Sequence, residues 1–303
     1  MTLTELKRVL RHMDASKKDE IILAYYKSRS KEEKELLSLY VSAVDENREL
    51  PSPKAVVTDP KEVEEVIKSL RKQYSRYTAM SRRTTAVRRL IRKVKDILKV
   101  IPLMPTGADK YDALCDTFRI LYFDICGGMD SGLWAFARED LNTSKDELFR
   151  TYASMVLAKG INVAALNDLV EVIRKSATRD WFERYRLFEI LISWIRNGDL
   201  RFEMIEQQET MLLDLKNEKE EMRPGLRSDR MACRAMFYLF LMQAEGTAEG
   251  AFAWLEKNIR PGFGEEMRRV WNSCVKAAKE EEAIRLAKMA HDNDEEDGTW
   301  FID

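Results

Sequence analysis

The sequence predicts an all-α protein, and three observations indicate this class. Stretches with helical apolar period follow one another along the chain, and the alternation typical of strands is hard to find. Oxygen acceptors stand at the predicted helix starts. Four of them precede a glutamate by three residues, as in a capping box, and these are Thr2, Ser30, Ser144 and Asp180.

The first five predicted helices begin at recognisable signals. Thr2 and Ser30 start helices 3–13 and 31–45, with helix 17–28 between them. Helix 60–81 begins with proline, which suits the first turn because the N–H that proline lacks would have no partner within the helix there. Thr84 is a candidate cap for the next helix, 85–101.

The remaining predicted helices follow from period and caps. Helices 180–196 and 228–244 each contain a segment that is apolar almost all round, which predicts central burial. Helix 200–221 instead has an apolar stripe opposite an acidic face, which is typical of an outer layer. The other predicted helices cover residues 110–126, 130–140, 145–159, 163–176, 248–258 and 265–290.

Two proline-bearing segments, 50–59 and 102–109, predict exposed linkers. They divide the chain into an N-terminal helical module, 1–101, and a C-terminal helical-array domain, 102–303, with the softer boundary near residue 105. Short turns between helices predict an irregular array of paired antiparallel helices, α-solenoid-like, although neither a tetratricopeptide nor an ankyrin consensus recurs at a fixed period.

Composition favours a cytoplasmic protein. The chain of 303 residues has four cysteines whose spacing matches no zinc or redox motif, so we expect reduced thiols. Charged residues occupy the N-terminus where a signal peptide needs an apolar region. The longest apolar run, 235–242, has eight residues, whereas a membrane span needs roughly 20.

Charge is unevenly distributed along the sequence. Between residues 67 and 100, twelve Lys and Arg side chains less one acid, Asp96, give a net charge of +11. Between residues 280 and 303, two basic residues less nine acids give −7. The whole chain has a formal net charge of −1, so the asymmetry indicates electrostatic contacts by particular segments.

Helical projection of residues 60–101 predicts two amphipathic helices with basic outer faces. One apolar stripe contains Val63, Val66, Ile67, Leu70, Tyr74 and Tyr77, and the other contains Val87, Ile91, Val94 and Leu98. The candidate binding residues for nucleic acid or an acidic partner are Arg71, Lys72, Arg76, Arg82, Arg83, Arg89, Arg92 and Lys93.

Two interpretations of this basic face stay open. Lys and Arg fixed along a rigid face bind phosphates without sequence preference, and the guanidinium fork matches phosphate oxygens. Acidic segments of the same chain or of a partner protein are the alternative counterions, and the near-neutral net charge favours them. Tyr74 and Tyr77 lie on the apolar side, where they are expected in the core rather than stacked on bases.

Residue types for common enzyme chemistry are sparse. His12 and His291 are the two histidines, and neither lies in a catalytic or metal motif. The glycines of 127–132 are spaced as in a phosphate loop, but no lysine follows, so we predict a turn in which Asp130 or Ser131 caps the next helix. Residues 293–298 resemble the start of a calcium loop that lacks its twelfth ligand, and we interpret them as a solvated acidic tail.

The first half of the chain resembles a family of uncharacterised helical bacterial proteins. The resemblance implies a helical fold and no assigned activity, so it transfers no functional residue. It rests on segments 3–7, 21–26, 35–40, 84–86 and 90–91.

The sequence therefore favours a non-enzymatic helical interaction or scaffold protein that binds a protein partner. No cofactor or metal is expected, and the oligomeric state is left open. The alternative is an RNA- or DNA-binding protein that uses the basic helices of 67–100.

Overall fold

The computed structural model describes residues 14–27, 41, 59–74, 84–131, 134, 137–176, 180–218 and 224–297. These residues form α-helices and one 3-10 helix, Ile101–Leu103, without any strand, which confirms the all-α class. The predicted helices 3–13 and 31–45 and the linker 50–59 lie almost wholly outside the described residues.

Twelve α-helices occur in the described part of the chain. In order they are α1 (Ala15–Lys27), α2 (Pro60–Tyr74), α3 (Thr85–Val100), α4 (Tyr111–Asp130), α5 (Ala137–Leu141), α6 (Lys145–Leu157), α7 (Val163–Ser176), α8 (Trp181–Ile192), α9 (Gly198–Asn217), α10 (Pro224–Ala244), α11 (Ala248–Asn258) and α12 (Phe263–Asp297).

The chain divides into two compact units, Met1–Phe118 and Arg119–Asp303. The point of division lies within the sequence of α4. The modules predicted from the sequence, 1–101 and 102–303, stay a prediction.

In the first unit, α2 and α3 pack against each other along apolar stripes. The stripe predicted for α2 is confirmed at Val63, Val66, Ile67 and Leu70, all of which are buried. The stripe predicted for α3 is partly wrong. Its buried apolar residues are Val87, Val94, Ile97 and Val100, whereas Ile91 and Leu98 are only half-buried.

The segment after α3 does not behave as a fully exposed linker. Ile101, Leu103 and Met104 are buried, and the Met104 backbone N–H donates to the Ile101 carbonyl to close the 3-10 turn. Proline is accommodated at the start of this turn because no donor is needed there. The exposed part of the predicted linker is limited to residues 105–107 and 109.

In the second unit, α10 is the central helix. Residues 235–241 are buried on every side, as their continuous apolar sequence predicts. Helices α7, α8, α9, α11 and α12 all pack against it. Aromatic rings fill the space between them, with Phe188 and Phe237 centred 5.5 Å apart and Phe240 and Trp271 centred 4.9 Å apart.

Helix α8 contacts α6, α7, α10 and α12. In a solenoid each repeat contacts only its neighbours in the sequence. The contacts of α8 reach helices far beyond its neighbours, so the α-solenoid-like arrangement is not confirmed and stays a prediction.

Local capping signals were predicted well within the described residues. Ser144 and Glu147 form both hydrogen bonds of a capping box at α6, and Thr84 accepts from the Val87 N–H at α3. Asp180 accepts from the Phe182 N–H at α8, but Glu183 does not complete a box. Its carboxylate instead lies 2.6 Å from Lys145 Nζ.

The turn predicted at residues 127–132 is wrong at its start, because α4 continues through both glycines to Asp130. Two glycines are compatible with a helix whose other residues bury a continuous apolar face, here Leu121, Tyr122 and Ile125. Asp130 binds Lys145, so its carboxylate serves an ion pair rather than a helix cap.

A carboxylate from one helix caps the next at the α11–α12 turn. Glu256 accepts hydrogen bonds from the backbone N–H groups of Gly262, at 2.6 Å, and Gly264, at 2.9 Å. The Gly262 bond is the largest cause of the lowered pKa of Glu256. Gly262 has φ of +80°, a conformation that glycine adopts without strain.

Gly264 marks the closest approach of α11 and α12. A Cβ atom added there would lie 2.3 Å from the Phe252 carbonyl oxygen, which is backbone and cannot rotate away. The glycine is therefore required by contact between two helices rather than by its own dihedral angles.

Gly264→Ala should destabilise the protein by about 1–3 kcal/mol, because the two helices must move apart to admit the methyl group. Denaturant unfolding followed by far-ultraviolet circular dichroism measures the loss. Gly127→Ala is the matched control, since no atom lies within 4 Å of the added Cβ. Because alanine is the better helix former, this variant should gain at most about 1 kcal/mol of stability. Equal stability of the two variants would contradict the close approach.

Candidate interaction site

The predicted binding residues lie on the exposed faces of α2 and α3 as far as the structure describes them. Arg71 and Lys72 are exposed in the last turn of α2, and Arg89, Arg92 and Lys93 are exposed on α3. The other three candidates, Arg76, Arg82 and Arg83, lie outside the described residues.

Helix α3 presents four exposed cations that form no ion pair with the described part of the chain. Within the described residues, the side chains of Arg88, Arg89, Arg92 and Lys93 form no salt bridge and no hydrogen bond. Lys68 on α2 differs, because its Nζ lies 2.7 Å from Glu65 Oε1. Arg88 completes the set and was not among the predicted site residues, although it belongs to the same basic run.

A groove of about 500 Å³ separates the exposed faces of α2 and α3. We call it the α2–α3 groove. Its α2 side carries two carboxylates, its α3 side carries two cations, and apolar atoms lie between them. The lining residues are Glu62, Glu65, Val66, Ser69, Gln73, Ala86, Arg89, Leu90 and Lys93.

Asp96, the only acid between residues 67 and 100, is buried on the inner side of α3 with 7% of its surface exposed. Its Oδ2 atom has no hydrogen-bond partner. Burial raises the pKa of Asp96, and attraction to Lys99 and Arg92 opposes this. The single negative charge of the segment therefore faces the interior, and the outer face of α3 stays purely basic.

Asp96→Ala should stabilise the protein at about pH 8, because an ionised carboxylate with one oxygen lacking a hydrogen-bond donor is unfavourable in the interior. The raised pKa means that the folded state holds the proton more tightly than the unfolded state. The gain should therefore be largest above the folded-state pKa and shrink as the pH falls through it towards the ordinary value of 3.8.

Urea unfolding at about pH 8 and pH 4.5 measures this difference. Asp168→Ala serves as the control, because Asp168 is an exposed carboxylate within α7. A gain for Asp96→Ala that is independent of pH would contradict the charge argument.

A buried ionic network joins α7, α8 and α10 in the second unit. Asp229 accepts from Arg184 Nη2 at 2.5 Å and from Arg174 Nη1 at 3.1 Å. Glu171 accepts from Arg174 Nε at 3.0 Å and from Arg234 Nη2 at 3.3 Å. Sequence reasoning missed this network, since Arg184 and Asp229 are separated by 45 residues and no local pattern connects them.

A second concavity of about 400 Å³ adjoins this network and is lined in part by Glu171 and Arg234. Arg234 also donates to Asn167 Oδ1 at 3.2 Å and to Gln208 Oε1 at 3.1 Å. Burial lowers the pKa of Arg234, and Glu171 opposes this. Because the guanidinium is already held by three side chains, we interpret it as part of the packing between helices.

Asp229→Ala should destabilise the protein by about 3–5 kcal/mol, because it leaves the guanidinium of Arg184 buried without its carboxylate. Arg184 is only 2% exposed, and the Arg174 carbonyl that it also contacts, at 3.5 Å, does not supply the negative charge that is lost. Thermal and denaturant unfolding measure the effect.

Glu266→Ala is the control, since it breaks an exposed pair with Arg260 at 2.5 Å and should change stability by less than about 1 kcal/mol. A loss for Asp229→Ala no greater than this control would show that the network is not needed for stability.

Three of the four described cysteines are poorly suited to nucleophilic chemistry. Burial raises the pKa of Cys126 and of Cys233 to about 12, and that of Cys274 to about 11. The thiolate is the nucleophile, so these groups are unreactive near neutral pH. Within the described residues, no three His, Cys, Asp or Glu side chains are grouped to hold a metal ion.

Among the described residues, no helix combines the length and apolar character needed to cross a membrane. Comparison of the chain with protein families, curated proteins and solved structures finds no match. The resemblance of the first half to uncharacterised helical bacterial proteins therefore stays a prediction, and function must be argued from the exposed surface itself.

Proposed function

We propose that the protein is a non-enzymatic helical interaction protein that binds an acidic protein partner through α2 and α3. The observation that carries this proposal is the set of four exposed cations of α3 that form no salt bridge with the described residues, although Asp96 attracts Arg92 from the inner side of the helix. Holding like charges one turn apart on a helix is unfavourable, so the face is best explained by a partner that supplies negative charge.

The groove supports a protein rather than a nucleic acid as that partner. Glu62 and Glu65 lie along the side of the groove opposite Arg89 and Lys93. A phosphate backbone crossing this surface would be attracted by one wall and repelled by the other. A protein surface carries charges of both signs and satisfies both walls.

RNA or DNA binding through the same cations is the second candidate. Residues four apart lie on the same side of a helix, so each of two pairs on α3 can contact successive phosphates. The pairs are Arg88 with Arg92 and Arg89 with Lys93. Their exposure favours this alternative over neutralisation within the chain.

The proposal includes a cytoplasmic location, which the four free cysteines support. No catalytic role is included, because burial raises the pKa of the Cys126, Cys233 and Cys274 thiols and no metal-ligand cluster occurs in the described residues. The arrangement supports binding rather than chemistry.

We expect a fluorescently labelled helical peptide that is rich in glutamate but also carries basic side chains to bind with an anisotropy change. Labelled RNA and DNA oligonucleotides of similar length should bind more weakly. A variant with all four of these cations, Arg88, Arg89, Arg92 and Lys93, changed to Ala should bind the peptide at least about tenfold more weakly. The reason is that surface charges steer and hold an acidic partner. Titrations at about 50 and 200 mM salt measure both affinities.

Strong oligonucleotide binding that falls steeply with salt and with the fourfold substitution would support the nucleic-acid candidate instead. Absence of binding by the peptide and the oligonucleotides at low salt would contradict both candidates. Circular dichroism of the fourfold variant controls for folding, and all four side chains are exposed.

A further inference from the structure

The two walls of the α2–α3 groove carry opposite charges in helical register. Glu62 and Glu65 are three residues apart on α2, and Arg89 and Lys93 are four residues apart on α3, so each pair lies on one side of its helix. Lys68 Nζ lies 2.7 Å from Glu65 Oε1 and partly neutralises that carboxylate. Glu62 is therefore the less neutralised acid of the two. The groove is therefore acidic along α2 and more strongly basic along α3.

The floor between the walls is apolar and narrow. Val66 is buried, Leu90 is half-buried and Ala86 is exposed. The small side chains of Ala86 and Ser69 allow a partner backbone to approach closely. An apolar floor of this size contributes to affinity, while the charged walls determine which partner binds.

The type of segment that fits the groove follows from what its lining lacks. Proline-rich peptides bind grooves lined by aromatic side chains, and the described residues that line this groove include no aromatic one. An extended peptide adds to a sheet edge, and the described residues contain no strand. A helix laid between two helices is the remaining common mode, with its apolar stripe on the floor.

The length of the groove limits the partner helix. The lining spans residues 62–73 on α2 and 86–93 on α3. At 1.5 Å per residue these spans correspond to about 16 Å and about 10 Å. A partner helix lying along them would contact the groove over about two to three turns.

We propose that the α2–α3 groove binds one amphipathic helix of a partner protein, with acidic side chains towards Arg89 and Lys93 and basic side chains towards Glu62 and Glu65. This inference rests on the proposed function and specifies the partner's structure and charge pattern. The apolar stripe of the partner helix lies between its two charged flanks and covers Ala86 and the exposed part of Leu90.

Helix α3 offers a matched pair of variants to test the groove. Arg89→Glu with Lys93→Glu reverses the two cations that line it, whereas Arg88→Glu with Arg92→Glu reverses two that do not. Both pairs have the same spacing on the same helix, and all four residues are exposed. Binding in the groove depends on the first pair far more than on the second, whereas a general basic surface depends on both.

The probes are three designed helical peptides that share one apolar stripe. In the first peptide the two flanks have opposite charges, in the second both flanks carry mixed charges with the same composition, and in the third both flanks are acidic. Because a helix that reverses its direction exchanges its flanks, the first peptide satisfies both walls in one of the two orientations. Calorimetric titration into the full-length protein gives each dissociation constant.

We expect the first peptide to bind at least about tenfold more tightly than the second, since misplaced like charges oppose binding. Arg89→Glu with Lys93→Glu should weaken binding of the first peptide by at least about tenfold. Arg88→Glu with Arg92→Glu should weaken it by a smaller factor, because these cations belong to the same basic face but lie outside the groove. Glu62→Lys with Glu65→Lys should shift the preference towards the third peptide.

Equal binding of the first and second peptides, or equal losses from the two α3 variants, would overturn the groove proposal. The acidic-partner function would still stand in that case if the third peptide bound. Lack of binding by all three peptides at low salt would overturn both, so the two failures are distinguishable. Urea unfolding of each variant verifies that the exposed substitutions leave the fold intact.

Discussion

A helix that is apolar on every side must be covered on every side, and α10 imposes this requirement on residues 119–303. Its segment 235–241 is buried throughout, and five other helices supply the cover. Once these helices surround α10, their polar groups near the core need partners. Asp229, near the start of the same helix, provides one by holding Arg174 and Arg184. Packing and ionic network thus follow from one central element.

Helix α3 balances two opposing demands. Its inner face contributes Val94, Ile97 and Val100 to a core, which stabilises the first unit. Its outer face concentrates like charges one turn apart, each pair of which weakens a helix by about 0.2–0.5 kcal/mol. Burial of three aliphatic side chains outweighs that repulsion. The helix can therefore keep an unfavourable charge pattern that packing alone does not require.

The sequence predicted features whose causes are local and missed those whose causes are distant. The cap at Ser144 and the stripe of α2 depend on residues within one or two turns. The cap was predicted correctly, and so was the stripe from Val63 to Leu70, whereas its continuation to Tyr74 and Tyr77 lies outside the described side chains. The continuation of α4 through Gly127 was missed because turn-forming glycines are overridden by tertiary burial. The groove candidates Arg89 and Lys93 were found from charge alone. Their acidic counterparts Glu62 and Glu65 became part of the site only through the packing of α2 on α3.

The Glu256 contacts that connect α11 to α12 bear on the order in which the second unit folds. They join residues six and eight positions apart, so the loop that closes is short and little chain entropy is lost. The Arg184–Asp229 pair closes a loop of 45 residues, so its formation costs more chain entropy. Contacts of short sequence separation form fastest. We therefore expect the α11–α12 hairpin to act as an early nucleus, on which α10 and then α8 assemble.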